Sequence, residues 1–166
     1  MRARTIGIFS FTVLTACLLA APGPRQRNVF NARLVGDNEV PPIYSDGKAS
    51  FHMEIASDGK SATFSYNFSG LSSNLVVSHL HFAPSKVAGG VMVFLCGGGN
   101  QPACPAATSG TIDGTITSAN VVALANQGIA AGDIDTAFEL VRSGLAYANM
   151  HTTNFPGGEI RGQVGH

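Results

Sequence analysis

The chain has 166 residues, of which 45% are hydrophobic, with 20 glycines, 8 prolines and no tryptophan; this suits one turn-rich domain behind a short export segment. Only 12% of residues are charged, ten basic against ten acidic, and removing Arg2 and Arg4 with the leader leaves a slightly acidic remainder. No lysine–arginine run exists, which argues against nucleic acid or an anionic membrane surface as partner.

The first 21 residues begin with a short basic stretch and continue as an apolar run from Ile6 to Leu19. That run is short for a membrane span and fits a secretory signal. A small-x-small cleavage site is hard to place beside Leu18 and Leu19. Leu14-Thr15-Ala16-Cys17 fits better, because it resembles the bacterial lipobox, whose cysteine becomes the lipidated first residue. The expected division is therefore a signal over residues 1–16, a tether over 17–28 containing Pro22, Gly23 and Pro24, and a domain over 29–166. The protein is expected to be exported and held at the cell envelope through Cys17, or secreted or periplasmic if Cys17 is only an apolar signal residue.

Phe30, Ala32 and Leu34 alternate as a first strand, closed by Gly36-Asp37-Asn38. Glu39-Val40-Pro41-Pro42 follows, and two prolines confine it to an edge or a loop. Ala49, Phe51, Met53 and Ile55 share the inner face of a second strand, leaving His52 on the solvent side. Ser57-Asp58-Gly59-Lys60 turns the chain, and Ala62, Phe64, Tyr66 and Phe68 form the buried face of the return strand.

The next strand spans residues 75–82. Leu75, Val77, His79 and His81 share one face, and Val76, Ser78, Leu80 and Phe82 share the other; both are largely apolar, so the strand is expected to be central. Histidines at i and i+2 project from one side roughly 7 Å apart, close enough for two imidazoles to converge on one ion. The alternative is a pair of buried, hydrogen-bonded imidazoles, since histidine is also a common residue at a core edge.

A glycine- and proline-bearing loop follows, then a short apolar strand running into Cys96. With Cys17 assigned to the anchor, Cys96 and Cys104 remain as an even pair in an exported chain and are expected to form a disulfide. Closing so short a loop contributes roughly 2–3 kcal/mol. The seven glycine-rich residues between them match no common zinc spacing. Residues 110–116 read as a further strand. Helical signals appear only after it: Thr117 or Ser118 can cap a turn through Leu124, and Ile134, Phe138 and Val141 recur at helical spacing within residues 133–143 before Gly144.

The last strands carry the remaining chemistry. Tyr147, Asn149 and His151 share one face of the first, with Ala146, Ala148, Met150 and Thr152 on the other. Asn154-Phe155-Pro156-Gly157-Gly158 turns the chain, and Glu159, Arg161 and Gln163 alternate with Ile160, Gly162 and Val164. His79, His81 and His151 together would make a nitrogen set suited to copper or zinc. Arg161 is expected to pair with Glu159 or Glu39, tying the last strand to the opening loop. Tyr147 and Asn149 are expected to hydrogen-bond locally or fill space. No serine–histidine–carboxylate order, phosphate loop or paired-carboxylate motif stands out.

These segments resemble one family. His79-Leu80-His81-Phe82-Ala83-Pro84, then Ala146-Tyr147-Ala148-Asn149-Met150-His151-Thr152, then Gly158-Glu159-Ile160-Arg161-Gly162-Gln163 match the order of the CHRD domain, first described in chordin. Its usual pattern is H-I-H-G-P-A, a-Y-V-N-V-H-T and G-E-I-R-G-Q. The opening from Leu34 to Pro42 is also similar, and the resemblance covers about residues 29–163. One departure is Phe82-Ala83-Pro84, where the family usually has glycine, proline and alanine. The resemblance implies an extracytoplasmic, all-β, Ig-like or Greek-key antiparallel β-sandwich with short inserted helices, and many bacterial members have no assigned activity. H-x-H plus a distant histidine is also similar to the copper half-site of Cu/Zn superoxide dismutase, a likeness at the level of fold. Three functions follow as expectations. The first is a non-enzymatic domain binding a transition metal, copper before zinc. The second is a metal-free interaction or structural module for an envelope protein or polysaccharide. The third is a copper-dependent dismutase-like oxidoreductase.

Overall fold

A computed structural model describes residues 27–166; the leader, Cys17 and the tether as far as residue 26 lie outside the described residues. Eight strands form: β1 (Val29–Val35), β2 (Lys48–Ile55), β3 (Ala62–Ser69), β4 (Leu75–Phe82), β5 (Gly90–Cys96), β6 (Gly110–Ile116), β7 (Ala146–Thr152) and β8 (Ile160–Gln163). One α-helix, α1 (Ile134–Arg142), lies between β6 and β7. Every pairing is antiparallel, and the strands join in one sheet of order β5-β4-β7-β8-β1-β2-β3-β6.

The expected all-β antiparallel layering is thus realised as a single sheet folded over on itself. Four strands separate β3 from β4 in that order, yet the Tyr66 and Ser78 hydroxyls lie 3.2 Å apart across the interior. What folds the sheet is the period-2 alternation of β1, β2 and β3, which gives each strand one apolar face. Phe30, Leu34, Phe51, Met53, Ile55, Tyr66 and Phe68 are all at most 1% exposed. They meet Leu80, Met92, Leu95, Ala148, Met150 and Ile160 from the far end of the sheet in one core. Helix α1 caps it, burying Ile134, Ala137, Phe138 and Val141, with the Asp133 carboxylate accepting from the Thr136 amide at the N-cap. Gly144, at φ +70°, ends the helix as expected.

Leu75 is where the sequence alternation slips. Strict alternation puts it on the face of His79 and His81, but it is 3% exposed within the core, on the opposite side from the histidines. A register irregularity between Leu75 and Val77 explains this: one extra residue on a bulged strand reverses the facing of everything before it. Val76, counted with Ser78 and Leu80, is instead half exposed.

Candidate metal centre

The face of β4, β7 and β8 turned away from the core is where the polar residues gather. Pairing fixes them as a lattice: Val77 opposite His151, His79 opposite Asn149, and His81 opposite Tyr147. Asn149 in turn faces Arg161, and on the other flank His79 faces Phe94 of β5. His79 and His151 are therefore diagonal neighbours on adjacent strands, within reach of each other's side chains. Their ring centroids are 4.9 Å apart, and His79 and His81 are 5.3 Å apart. One potential ligand atom from each of the three histidines lies within 4.8 Å of the others, and all three residues are buried.

Two backbone carbonyls fix how two of the rings present themselves. His81 Nδ1 lies 3.0 Å from the Gly89 carbonyl, and His151 Nδ1 lies 2.9 Å from that of Pro156. A carbonyl only accepts, so each Nδ1 must carry the proton and each Nε2 is left with a lone pair. The His151 Nε2 faces His79 Nδ1 at 3.2 Å. The His81 Nε2 is buried with no hydrogen-bond partner, an arrangement that costs roughly 1–3 kcal/mol when nothing fills it.

Protonation is held off throughout. Burial first, then the neighbouring His151 and His81, lowers His79 to about 3. Burial lowers His81 to about 4, against the opposing pull of the Gly89 carbonyl. His151 is lowered too, by burial acting against the Pro156 carbonyl. All three imidazoles are accordingly neutral at pH 7, the form in which histidine binds metals.

The charged neighbours differ from the expected pairing. Arg161 makes no ion pair with Glu159 or Glu39: its Nη2 donates to the Val87 carbonyl at 2.6 Å and lies 3.4 Å from that of Pro84. Its guanidinium sits 3.3 Å above the Tyr147 ring, and Tyr147 stacks on His81 at 4.6 Å and 3°. Arginine prefers this arrangement because a planar, weakly hydrated cation lies well on an aromatic face. Glu159 is engaged elsewhere. Fully buried, it accepts from the Ser45, Ser72 and Thr152 hydroxyls and from the Ser72 amide at 2.6–2.8 Å. Burial pushes its carboxyl up, but those four donors outweigh burial and hold it below the ordinary value. Glu39 is the carboxyl nearer the histidines. It accepts from Asn149 Nδ2, and burial raises it to about 7 against the pull of Asn149 and Arg161. Asn149 also donates to the Ile160 carbonyl, so it hydrogen-bonds locally as expected.

Sequence patterning therefore identified the three histidines that come together, and the structure adds three positions it missed. Gly89 and Pro156 act through their carbonyls, which no residue type announces. Phe94 reaches His79 edge-on at 4.6 Å only because register irregularities flank His79 in the β4–β5 pair. The expected disulfide is present, Cys96 to Cys104, with Cα atoms 5.0 Å apart.

A model of the CHRD domain matches residues 30–164. No curated protein and no solved structure matches the chain.

Proposed function

The chain belongs to the CHRD-domain family, and from that premise we propose that it is an exported, non-enzymatic domain that holds one transition-metal ion on His79, His81 and His151. The observation that carries this reading is the buried, unpartnered His81 Nε2. Like the His151 Nε2, it is left with its lone pair by a carbonyl that holds the ring's Nδ1 proton. Metal-bound histidines characteristically donate their second ring N–H in this manner.

The spacing supports the same reading. Three imidazoles at roughly 2.0–2.1 Å from one ion hold their nitrogens about 3.3–3.6 Å apart; His79 Nδ1 and His151 Nε2 are 3.2 Å apart already, and His79 would ligate through Nδ1 once its proton sits on Nε2. The His81 nitrogen needs only a small ring movement to close the set, its separation from the others being at most 4.8 Å. A neutral, all-imidazole set accepts copper and zinc alike, and copper ranks higher for nitrogen ligands. Bound copper would bring redox capacity or an open position for ligand exchange. The disulfide supports an oxidising compartment, and attachment through Cys17 belongs to the same proposal.

A metal-free interaction module is the second reading, favoured by the closed packing of the rings: His79 on His151, and His81 on Tyr147. An envelope protein or a polysaccharide would be the partner. The dismutase-like reading has less support, because Arg161 is held by two carbonyls and a tyrosine ring and is not free to guide an anion. X-ray absorption on the copper-loaded protein separates these readings. The expected spectrum has two or three imidazole nitrogens at about 2.0 Å. Copper coordinated by oxygen alone, or lost on desalting, favours the metal-free module.

A further inference from the structure

We propose that the Cys96–Cys104 loop is a redox-sensitive clamp on the histidine cluster, acting through Phe94 as a positioning residue. This rests on the metal-binding reading for its effect on the ion, but its structural part stands alone. Phe94 lies edge-on to His79, with ring centroids 4.6 Å apart and planes at 85°. The partly buried ring is also packed against Gly98 and Gly99 of the loop that the disulfide closes. A Cβ built on Gly98 would lie 2.5 Å from the Phe94 ring, and one on Gly99 would lie 2.6 Å from it. Backbone is thus laid directly on the ring, at a distance only glycine permits. Gly97 is equally close on the β4 side, where a Cβ would meet the Val76 carbonyl at 2.5 Å.

The clamp therefore runs in one direction through contacts. The disulfide fixes the end of β5 against Cys104, the glycines press on Phe94, and Phe94 seats His79 against His151. Of the three histidines, His79 most needs such a support. No backbone carbonyl pins either of its ring nitrogens, whereas His81 and His151 each have one. Its contact with His151 and the packing of Phe94 are what orient it.

Reduction by a dithiol balances simply. Two electrons and two protons pass to the Cys96–Cys104 bond, giving two thiols, and the donor closes to its own disulfide. The loop then keeps only its hydrogen bonds. Among them are Gly97 N–H to the Pro102 carbonyl and side-chain bonds from Asn100, Gln101 and Asn120. Most of these draw it toward β6 and residues 119–120; one holds the Gly99 carbonyl, and none bonds Phe94 itself. A released loop frees the Phe94 ring, and His79 loses its backing.

The test uses residues 27–166 with the disulfide formed, the Cys96→Ser/Cys104→Ser protein, and oxidised Phe94→Leu, each checked for folding by circular dichroism. The expected result is copper affinity about 10-fold weaker in both variants, the size usual for loss of a group that orients a ligand. The His79 ring resonances should also shift on reduction of the metal-free wild-type protein, while those of His52 stay fixed. Unchanged affinity in a folded double-serine protein overturns the clamp. Should no form bind copper, the metal reading fails while the clamp is judged by NMR: a His79 shift on reduction upholds it, and an unmoved resonance overturns it.

Discussion

At the scale of single residues, buried polar groups decide the character of this protein. In the folded state burial lowers His79 to about 3 and His81 to about 4 and lowers His151 as well, whereas in the unfolded chain all three take up protons near pH 6.5. Between those limits the unfolded state binds more protons, so each imidazole makes the fold less stable as pH falls. Glu39 works in the opposite sense. Raised from 4.5 to about 7, it keeps its proton in the folded state, and its contribution is lost as pH rises through that range. Three groups outweigh one, and denaturant midpoints of the metal-free protein are predicted to fall between pH 6.5 and pH 4.5. Glu39→Gln should make the fall steeper; a flat profile in both proteins contradicts the assignment. Glu159 makes a second residue-scale prediction. Its four charge-assisted hydrogen bonds join Ser45, Ser72 and Thr152 from separate parts of the chain. Glu159→Gln should lower stability by roughly 2–4 kcal/mol in urea unfolding. A change within 0.5 kcal/mol would mean that the buried charge contributes no net stability.

The elements show where the sequence is legible and where it is not. H-x-H in β4 and the Tyr147, Asn149, His151 face of β7 follow from period-2 alternation, which depends only on neighbouring residues. Alternation fails at Leu75, where a bulge reverses the facing, and residue type misleads at Arg161, whose partners are carbonyls of a loop more than seventy residues away. Neither a bulge nor a carbonyl partner is written in residue type. That loop, between β4 and β5, is also the element on which the site most depends. Gly89 accepts from His81 Nδ1, its amide contacts the Tyr147 hydroxyl, and a Cβ there would lie 1.9 Å from the Phe82 carbonyl. Gly89→Ala must therefore move the loop. It is predicted to cost about 1–3 kcal/mol, as overpacking does, and to weaken copper binding by loosening His81. An alanine variant with wild-type stability and affinity contradicts the role given to this carbonyl.

On the scale of the whole molecule, the core and the candidate site use opposite faces of the same strands. Ala148, Met150 and Leu80 point inward to the folded sheet, while His79, His81, His151, Asn149 and Tyr147 point outward beneath the loops. Composition and alternation disclose the first face, because burying apolar surface is a property of the chain's own pattern. The second depends on which strands become neighbours. Placing β7 between β4 and β8 brings together residues some seventy positions apart, and here the CHRD motifs supplied what periodicity could not.

Metal binding at the three histidines is open to one titration. Copper is added to residues 27–166 beside His81→Ala and His151→Ala, with affinity read by competition and folding by circular dichroism. One equivalent bound by the wild-type protein, and at least 100-fold weaker binding by both folded variants, is the predicted result for loss of a direct ligand, beyond the 10–100-fold usual for an outer-shell partner. Equal binding by all three proteins, or none by any, would contradict a metal centre and leave the histidines as packing groups of the sheet.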